Sequence, residues 1–317
     1  MAPDLSVVVP LHNEAPNVDA LCRELTSVLA ASGRSYEVVL VDDGSTDGSF
    51  ERLREIQSHD PHFRLIRFRR NFGQTAAFAA GFAHARGAII VTADGDMQND
   101  PRDIPSMMKR IEAGECDVVC GWRKDRKDPF ISRRLPAVLA GRLISWATGV
   151  RLHDYGCSLK AYRAEIVRSL RLYGEMHRFL PALANDVGAR IVEQAVNHRP
   201  RLHGTSKYGI SRTFRVVLDL MTVKFLGRYA ARPLHVFGTA GLGAIAAGVA
   251  LEAWVFGERV LGTSGVIARP MFWVGLVLIA SGVQLVATGL VAEMLARTYF
   301  ESQDKPTYWI REIVQAD

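Results

Sequence analysis

Two aspartates, Asp94 and Asp96, stand with Gln98 in the segment Thr92–Pro101, TADGDMQNDP, directly after the apolar run Ala88-Ile89-Ile90-Val91. Such a run reads as a buried strand, and in extended backbone alternate residues point the same way. Asp94, Asp96 and Gln98 then offer oxygen atoms on one side. Oxygen donors suit a hard divalent cation, Mg²⁺ or Mn²⁺, and such a cation in turn holds phosphates. The plainer alternative is an acidic turn closing a strand, which an isolated D-x-D does not exclude. Three further polar clusters bear on the choice: His12-Asn13-Glu14, Asp42-Asp43-Gly44-Ser45 and Asn71-Phe72-Gly73-Gln74 each follow an apolar run. Asp42 or Asp43 can accept hydrogen bonds from nucleobase N–H groups or ribose hydroxyls, with Glu14 nearby. A metal-held diphosphate is a good leaving group, because the cation neutralises charge developing on its oxygens.

The elements that must position these residues alternate along the first 121 residues. Strands are expected at Leu5–Pro10, Tyr36–Val41, Phe63–Phe68, Gly87–Ala93 and Asp117–Cys120, with amphipathic helices at Ala15–Ala31, Ser49–Gln57 and Ile104–Ala113. That alternation predicts an α/β domain with a mostly parallel sheet covered on both faces. Ligands of such sheets sit at the carboxyl ends of the strands, where all four polar clusters fall. No G-x-G-x-x-G fingerprint follows any of these strands; Gly241-Leu242-Gly243 lies inside an apolar run, where small residues allow close helix packing. The four cysteines suit a reducing compartment, and Cys116 and Cys120 lack a companion pair at zinc spacing, so they read as core.

The later chain is of another kind. Neither Pro233–Leu251 nor Pro270–Ala292 contains a formally charged residue. The second run, as a helix rising about 1.5 Å per residue, spans roughly 34 Å, enough for a hydrocarbon core of about 30 Å. Both read as transmembrane helices, with buried core helices as the alternative. The N-terminal segment has no basic n-region or cleavage site, so the globular part is expected on the cytoplasmic side. The net charge of +6 is modest. Its placement is informative: basic residues cluster from Arg123 to Arg142 and again from Arg199 to Arg232, ahead of the first apolar run. Beside a bilayer they attract anionic headgroups. A nucleic-acid partner is disfavoured, because aromatic residues are not interleaved with them and no nucleic-acid-binding motif appears. Ile131–Val150 and Ser211–Tyr229 carry apolar and basic residues at helical spacing and read as interface helices, with surface helices of the soluble core as the alternative.

Taken together, Pro10-Leu11-His12-Asn13-Glu14, Val41–Asp47 (VDDGSTD), Arg70–Gln74 (RNFGQ) and Asp94–Gln98 (DGDMQ) closely resemble the motif series of inverting family-2 glycosyltransferases of the GT-A fold. Asp154–Arg163 (DYGCSLKAYR), His198–Gly209 and Glu293–Pro306 narrow the resemblance to the polyprenyl-phosphate glycosyltransferases, and it runs through nearly the whole chain. It implies a GT-A, Rossmann-like catalytic domain over 1–210, including an interface helix at 131–150. A juxtamembrane amphipathic helix over 211–232 follows, then transmembrane helices at about 233–256 and 270–292 within 233–293, and a cytoplasmic tail over 294–317. It implies that Pro10, His12, Glu14, Val41, Asp43, Gln74, Ala93, Asp94 and Arg123 bind a nucleotide sugar, and that Asp94, Asp96 and Gln98 hold Mg²⁺ or Mn²⁺. Arg133, Arg201 and Lys207 would bind the lipid phosphate or the diphosphate, although Lys207 also reads as a snorkelling interface lysine. From the second aspartate onward the family commonly reads D-L-Q-D-P-P-E. Met97, Asn99, Asp100 and Arg102 depart from it without removing a proposed ligand.

The implied reaction joins a sugar to a polyprenyl phosphate at the cytoplasmic (inner) membrane, with inversion. The lipid phosphate is already anionic, so a general base is optional; Asp154 is a candidate for base or positioning residue, or a turn cap. Family members often assemble into tetramers. A processive polysaccharide synthase is the nearest rival, but the chain lacks Gln-x-x-Arg-Trp and has only two spans. A non-catalytic scaffold fits poorly with the intact Asp94, Asp96 and Gln98. The sequence leaves UDP against GDP, the sugar and the choice of polyprenyl phosphate open.

Overall fold

The computed structural model describes residues 2–124, 144–145, 148–170, 172, 176–200, 233–260, 270–302 and 308–315. The chain divides into two units, Met1–Val223 with Pro306–Asp317, and Lys224–Lys305. The first is built on strands β1 (Leu5–Leu11), β2 (Tyr36–Asp42), β3 (Phe63–Phe68), β4 (Ile89–Thr92), β5 (Val118–Trp122), β6 (Lys160–Arg163), β7 (Ile191–Ala195) and β8 (Ile310–Val314). They form one sheet in the order β7-β5-β6-β4-β1-β2-β3-β8. Its centre, β4-β1-β2-β3, is parallel, and β5 pairs β7 in parallel. β6 and β8 run antiparallel to their neighbours.

The valine-rich β1 is buried along almost its whole length because helices cover both faces of the sheet. Leu5, Val7 and Val9 join Val38 and Leu40 in a core closed by α1 (Ala15–Ala31), α2 (Ser49–His59) and α4 (Ile104–Glu112). Helix α3 (Gln74–His84) packs on the other face against β1 and β2. Each fully buried aliphatic side chain contributes about 1.5–3 kcal/mol, which makes this double cover the main stabilising term of the unit. α5 (Ala164–Ser169) and α6 (Leu180–Asp186) complete it.

Strand order decides where a ligand can sit. β2 and β3 lie on one side of β1 and β4 on the other, so chain direction across the sheet reverses between β1 and β4. A crevice opens at the carboxyl ends of strands at such a switch point. His12 and Asp94 follow β1 and β4, the strands on either side of that point. The five expected strands are present, within two residues at each end. β5 is not beside β4, however: β6 is inserted between them, antiparallel to both, so this half of the sheet is mixed rather than parallel.

The second unit is a pair of helices, α7 (Pro233–Val260) and α8 (Pro270–Ser302), longer than the expected spans. Phe237–Glu258 and Pro270–Ala292 are apolar and long enough to cross a membrane. Gly241, Ile245, Gly248 and Glu252 of α7 meet Gly275, Ile279, Gly282 and Val286 of α8. A Cβ on Gly282 would lie 2.5 Å from the Gly241 carbonyl oxygen, so only glycine allows this backbone approach. Leu242, Trp254 and Val277 face outward.

Candidate active site

The edge is assembled from four loops laced to one another. After β1, Asn13 takes a left-handed conformation (φ 56°), which asparagine tolerates. Its N–H donates to Ser45 Oγ at 2.9 Å and its Oδ1 accepts the Thr46 N–H at 2.9 Å. His12 Nδ1 lies 2.9 Å from the Asp43 carbonyl oxygen. Glu14 Oε2 accepts from Asn17 Nδ2 at 2.6 Å. Pro10, His12, Glu14, Val41 and Asp43 are thereby brought to adjacent strand ends, β1 and β2 being paired up to Leu11 and Asp42.

Asp42 and Asp43 are buried, and burial pushes both carboxyls up, with the backbone N–H groups they accept holding them down. Asp42 takes the Ser45 N–H and faces Arg67 at 3.7 Å. Asp43 accepts the Phe72 N–H at 2.6 Å and the Gly73 N–H at 2.9 Å, one on each oxygen. Asp43 therefore organises the loop after β3. Gly44, at φ 69°, lets that loop approach, since a Cβ there would sit 2.5 Å from the Arg70 carbonyl carbon.

The fourth loop carries the acidic pair. β4 ends at Thr92, and Asp94–Gln98 is a turn in which Met97 is left-handed (φ 64°). The extended geometry expected from alternation is thus replaced by a tight turn, because side chains cap its N–H groups: Asp94 N–H donates to Asn99 Oδ1 at 2.9 Å and Gln98 N–H to Asp96 Oδ1 at 3.2 Å. Gln74 Nε2 donates to Asp94 Oδ1 at 2.8 Å. The Gln98 amide nitrogen turns to the Arg199 carbonyl at 3.4 Å. Burial pushes the Asp94 carboxyl up and the Asp96 charge pushes the same way, against Lys160 and Arg123.

Among the described residues no group of three His, Cys, Asp or Glu side chains is placed to hold a metal. The donor set at the turn is two carboxylates with Gln98 beside them. Mg²⁺ and Mn²⁺ fit such a set, because Mg²⁺ typically keeps one or two carboxylates and takes its remaining oxygens from substrate phosphates and water. The residual like-charge repulsion at Asp94 is what a divalent cation would relieve.

Arg123, after β5, donates to both oxygens of Asp154, from Nε at 2.6 Å and Nη2 at 2.8 Å. The Arg123 main-chain N–H at 3.3 Å and the Gly156 N–H at 3.1 Å donate to the same carboxylate. Glu193 of β7 holds this loop from below, accepting the His153 and Asp154 N–H groups. Asn99 and His198 form a β-bridge, and Arg199 N–H donates to the Gln98 carbonyl at 3.0 Å. Arg199 also pairs with Glu24 and Asp100. His198 and Arg199, which precede the basic stretch, therefore lie beside the acidic turn. Arg133, Arg201 and Lys207 lie outside the described residues, as do most of 131–150 and the whole of 211–232.

Comparison with known proteins fits this arrangement. The profile of Glycosyl transferase family 2 matches residues 6–171. Dodecaprenyl-phosphate galacturonate synthase of Rhizobium johnstonii is 47% identical over 98% of this chain and 93% of its own. The chain belongs to glycosyl transferase family 2. Undecaprenyl-phosphate 4-deoxy-4-formamido-L-arabinose transferase of Edwardsiella ictaluri is 35% identical over 99% of this chain and 95% of its own. The chain is thus an enzyme, a glycosyltransferase, and its relatives are of the polyprenyl-phosphate group that its motifs resemble. The GT-A fold is likewise the one observed. A Pyrobaculum calidifontis mannosyltransferase in complex with GDP-Man and Mn²⁺ superposes with TM-score 0.51 at 18% identity, over 97% of this chain and 78% of that one. Glucosyl-3-phosphoglycerate synthase of Mycobacterium tuberculosis with Mn²⁺, UDP and phosphoglyceric acid gives 0.56 at 17%, over 71% and 78%.

In this family 2 glycosyltransferase several residues at the edge were not singled out from sequence. Asn99 joins the acidic turn to the Asp154 loop, its Oδ1 also accepting the Ser158 hydroxyl at 2.9 Å. Lys160 is buried beside Asp94, its ammonium donating to the Cys157 carbonyl. Thr75 Oγ1 lies 2.7 Å from Nδ1 of the half-buried His177. A lysine opening a short strand, directly before Ala161 and Tyr162, was the available signal for Lys160. Asn99 and His177 carry none until the loops are folded together.

Proposed function

We propose that this enzyme transfers a monosaccharide from a nucleotide-diphosphate donor to the phosphate of a membrane polyprenyl phosphate, with metal assistance and inversion at the anomeric carbon. The observation that carries the reading is the full-length likeness to a polyprenyl-phosphate galacturonate synthase, 47% identical, in a chain whose acidic turn lies at the switch point of the sheet. That relative's name makes a nucleotide-linked galacturonic acid the first donor to try. The loops at the ends of β1 and β2 bind the nucleoside, around Pro10, His12, Glu14, Val41 and Asp43. Asp43 acts there partly through the loop it orders. Asp94 and Asp96, with Gln98, hold the cation, which when bound would neutralise charge on the departing diphosphate.

The acceptor phosphate is an anion at neutral pH, so it attacks the anomeric carbon without losing a proton. The bond to the nucleotide diphosphate breaks as the new glycosyl–phosphate bond forms on the opposite face. Asp154, gripped on both oxygens by Arg123, positions that guanidinium toward the diphosphate rather than serving as a base. Arg133, Arg201 and Lys207 bind phosphate of the donor or of the lipid. The two apolar helices anchor the enzyme in the cytoplasmic membrane with its catalytic unit on the cytoplasmic side.

The test is transfer of labelled sugar to a short-chain polyprenyl phosphate with Mg²⁺ or Mn²⁺, screening UDP- and GDP-linked donors. Product should appear with one donor class and vanish with chelator. Folded protein that transfers nothing from any of them would overturn the reading.

A further inference from the structure

The tail that follows α8 reaches the donor edge. The Trp309 carbonyl accepts the Arg69 N–H at 3.0 Å, and β8 then continues along β3. The Tyr308 ring stacks on Phe68 with centroids 5.1 Å apart, and Trp309 stacks on Phe72 at 6.2 Å. Phe72 also meets the edge of Phe68 at 5.7 Å and carries the Arg70 guanidinium 4.4 Å from its ring centre. Its ring is thus held on three sides, while its N–H and that of Gly73 go to Asp43. The next residue is Gln74, whose amide donates to Asp94. Three consecutive residues, Phe72, Gly73 and Gln74, separate the Trp309 indole from a carboxylate of the acidic turn.

Trp309 is itself 62% exposed, so its own burial contributes little to stability. An aromatic left that open, yet stacked on the ring of a residue whose own N–H ties the loop to Asp43, is placed to order the loop rather than to fill a core. We propose that Trp309 is a positioning residue for the donor site: it fixes Phe72, and through it keeps Gln74 against Asp94. The proposal rests on the donor-site reading above. Its consequence is that the donor edge is complete only when the segment beyond the membrane helices has returned to the sheet.

The experiment uses the full-length enzyme in detergent or nanodiscs, with Trp309→Ala, Trp309→Phe, Gln74→Ala and the double Trp309→Ala/Gln74→Ala. Binding of UDP and of GDP with Mn²⁺ is measured by calorimetry, and transfer kinetics with donor and acceptor varied separately. Trp309→Ala should weaken nucleotide binding and raise donor KM about three- to tenfold, the range of a single aromatic contact. Acceptor KM and melting temperature should stay unchanged, Trp309→Phe should restore most of the loss, and the double variant should be no worse than Gln74→Ala. Unchanged nucleotide binding in Trp309→Ala overturns the proposal. So do additive losses in the double variant, or a fall in melting temperature that raises donor and acceptor constants together, which marks a structural role. A wild type that binds nucleotide but transfers nothing to polyprenyl phosphate refutes the acceptor assignment alone, and the binding comparison still decides the role of Trp309.

Discussion

Three carboxylates at this edge have different surroundings, and the difference predicts different variants. Asp94 is pushed up by burial and by Asp96, with Lys160 and Arg123 opposing. Asp96→Asn should reduce transfer by at least about two orders of magnitude, the range for removing one electrostatic contact to a reacting group. Mn²⁺-dependent nucleotide binding should weaken with it while the melting temperature holds. Asp154 is already engaged by Arg123 on both oxygens. If it positions that guanidinium, Asp154→Asn should raise donor KM and leave the acid limb of the pH–rate profile where it is; a lost acid limb would restore it as the base. His177 gives a prediction on stability. Burial, then Arg178 and Lys160, push its imidazole down to about 3, so it stays neutral in the fold while the unfolded chain titrates near 6.5. As pH falls below 6.5 the unfolded state takes up a proton that the folded state refuses. Stability present above that pH is therefore lost, by up to about 1.4 kcal/mol per pH unit, until the folded group titrates. Melting temperature from pH 7 to 5 should fall less steeply in His177→Gln than in wild type.

At the scale of elements, what could be read ahead depended on how far a segment's pattern is its own. α1 was legible to the residue, because Ala15–Ala31 carries one apolar stripe and opens with a proline in its first turn. α3 was not. Gln74–His84 is apolar on almost every side, since it lies flat on the sheet, and a helix without a polar face has no period to read. β6, β7 and β8 are short, and their pairings join residues far apart in sequence, such as Ile310 with Phe68. The acidic turn was legible as chemistry but not as geometry, because its shape is set by Asn99, whose partners Asp94 and Ser158 come from two loops. The helix pair was read from composition, and its seam yields a test. Gly282 faces the Gly241 carbonyl, so Gly282→Leu must push the helices apart, and overpacking of this kind costs about 1–3 kcal/mol. Detergent-solubilised Gly282→Leu should melt lower than Val277→Leu, an outward-facing control.

For the whole molecule, the informative fact is that the chain leaves the catalytic unit, forms two apolar helices, and returns to give the same sheet its last strand. If both helices cross a bilayer, the segments before α7 and after α8 must lie on one side and the segment between the helices on the other. An even number of crossings is the only topology that lets β8 pair with β3. Thiol labelling can read this directly. Cys22, Cys116, Cys120 and Cys157 are all buried, and burial pushes the Cys22 and Cys120 thiols up to about 12 and Cys157 to about 11. A membrane-impermeant maleimide, which needs the thiolate, should leave them unreacted. Gln315→Cys, exposed just beyond β8, should then label in inside-out vesicles, and Ser264→Cys, between the helices, in intact spheroplasts. Labelling of both from the cytoplasmic face would mean that the helices lie against the membrane without crossing it. The proposed lipid acceptor would then have to reach the acidic turn by another route.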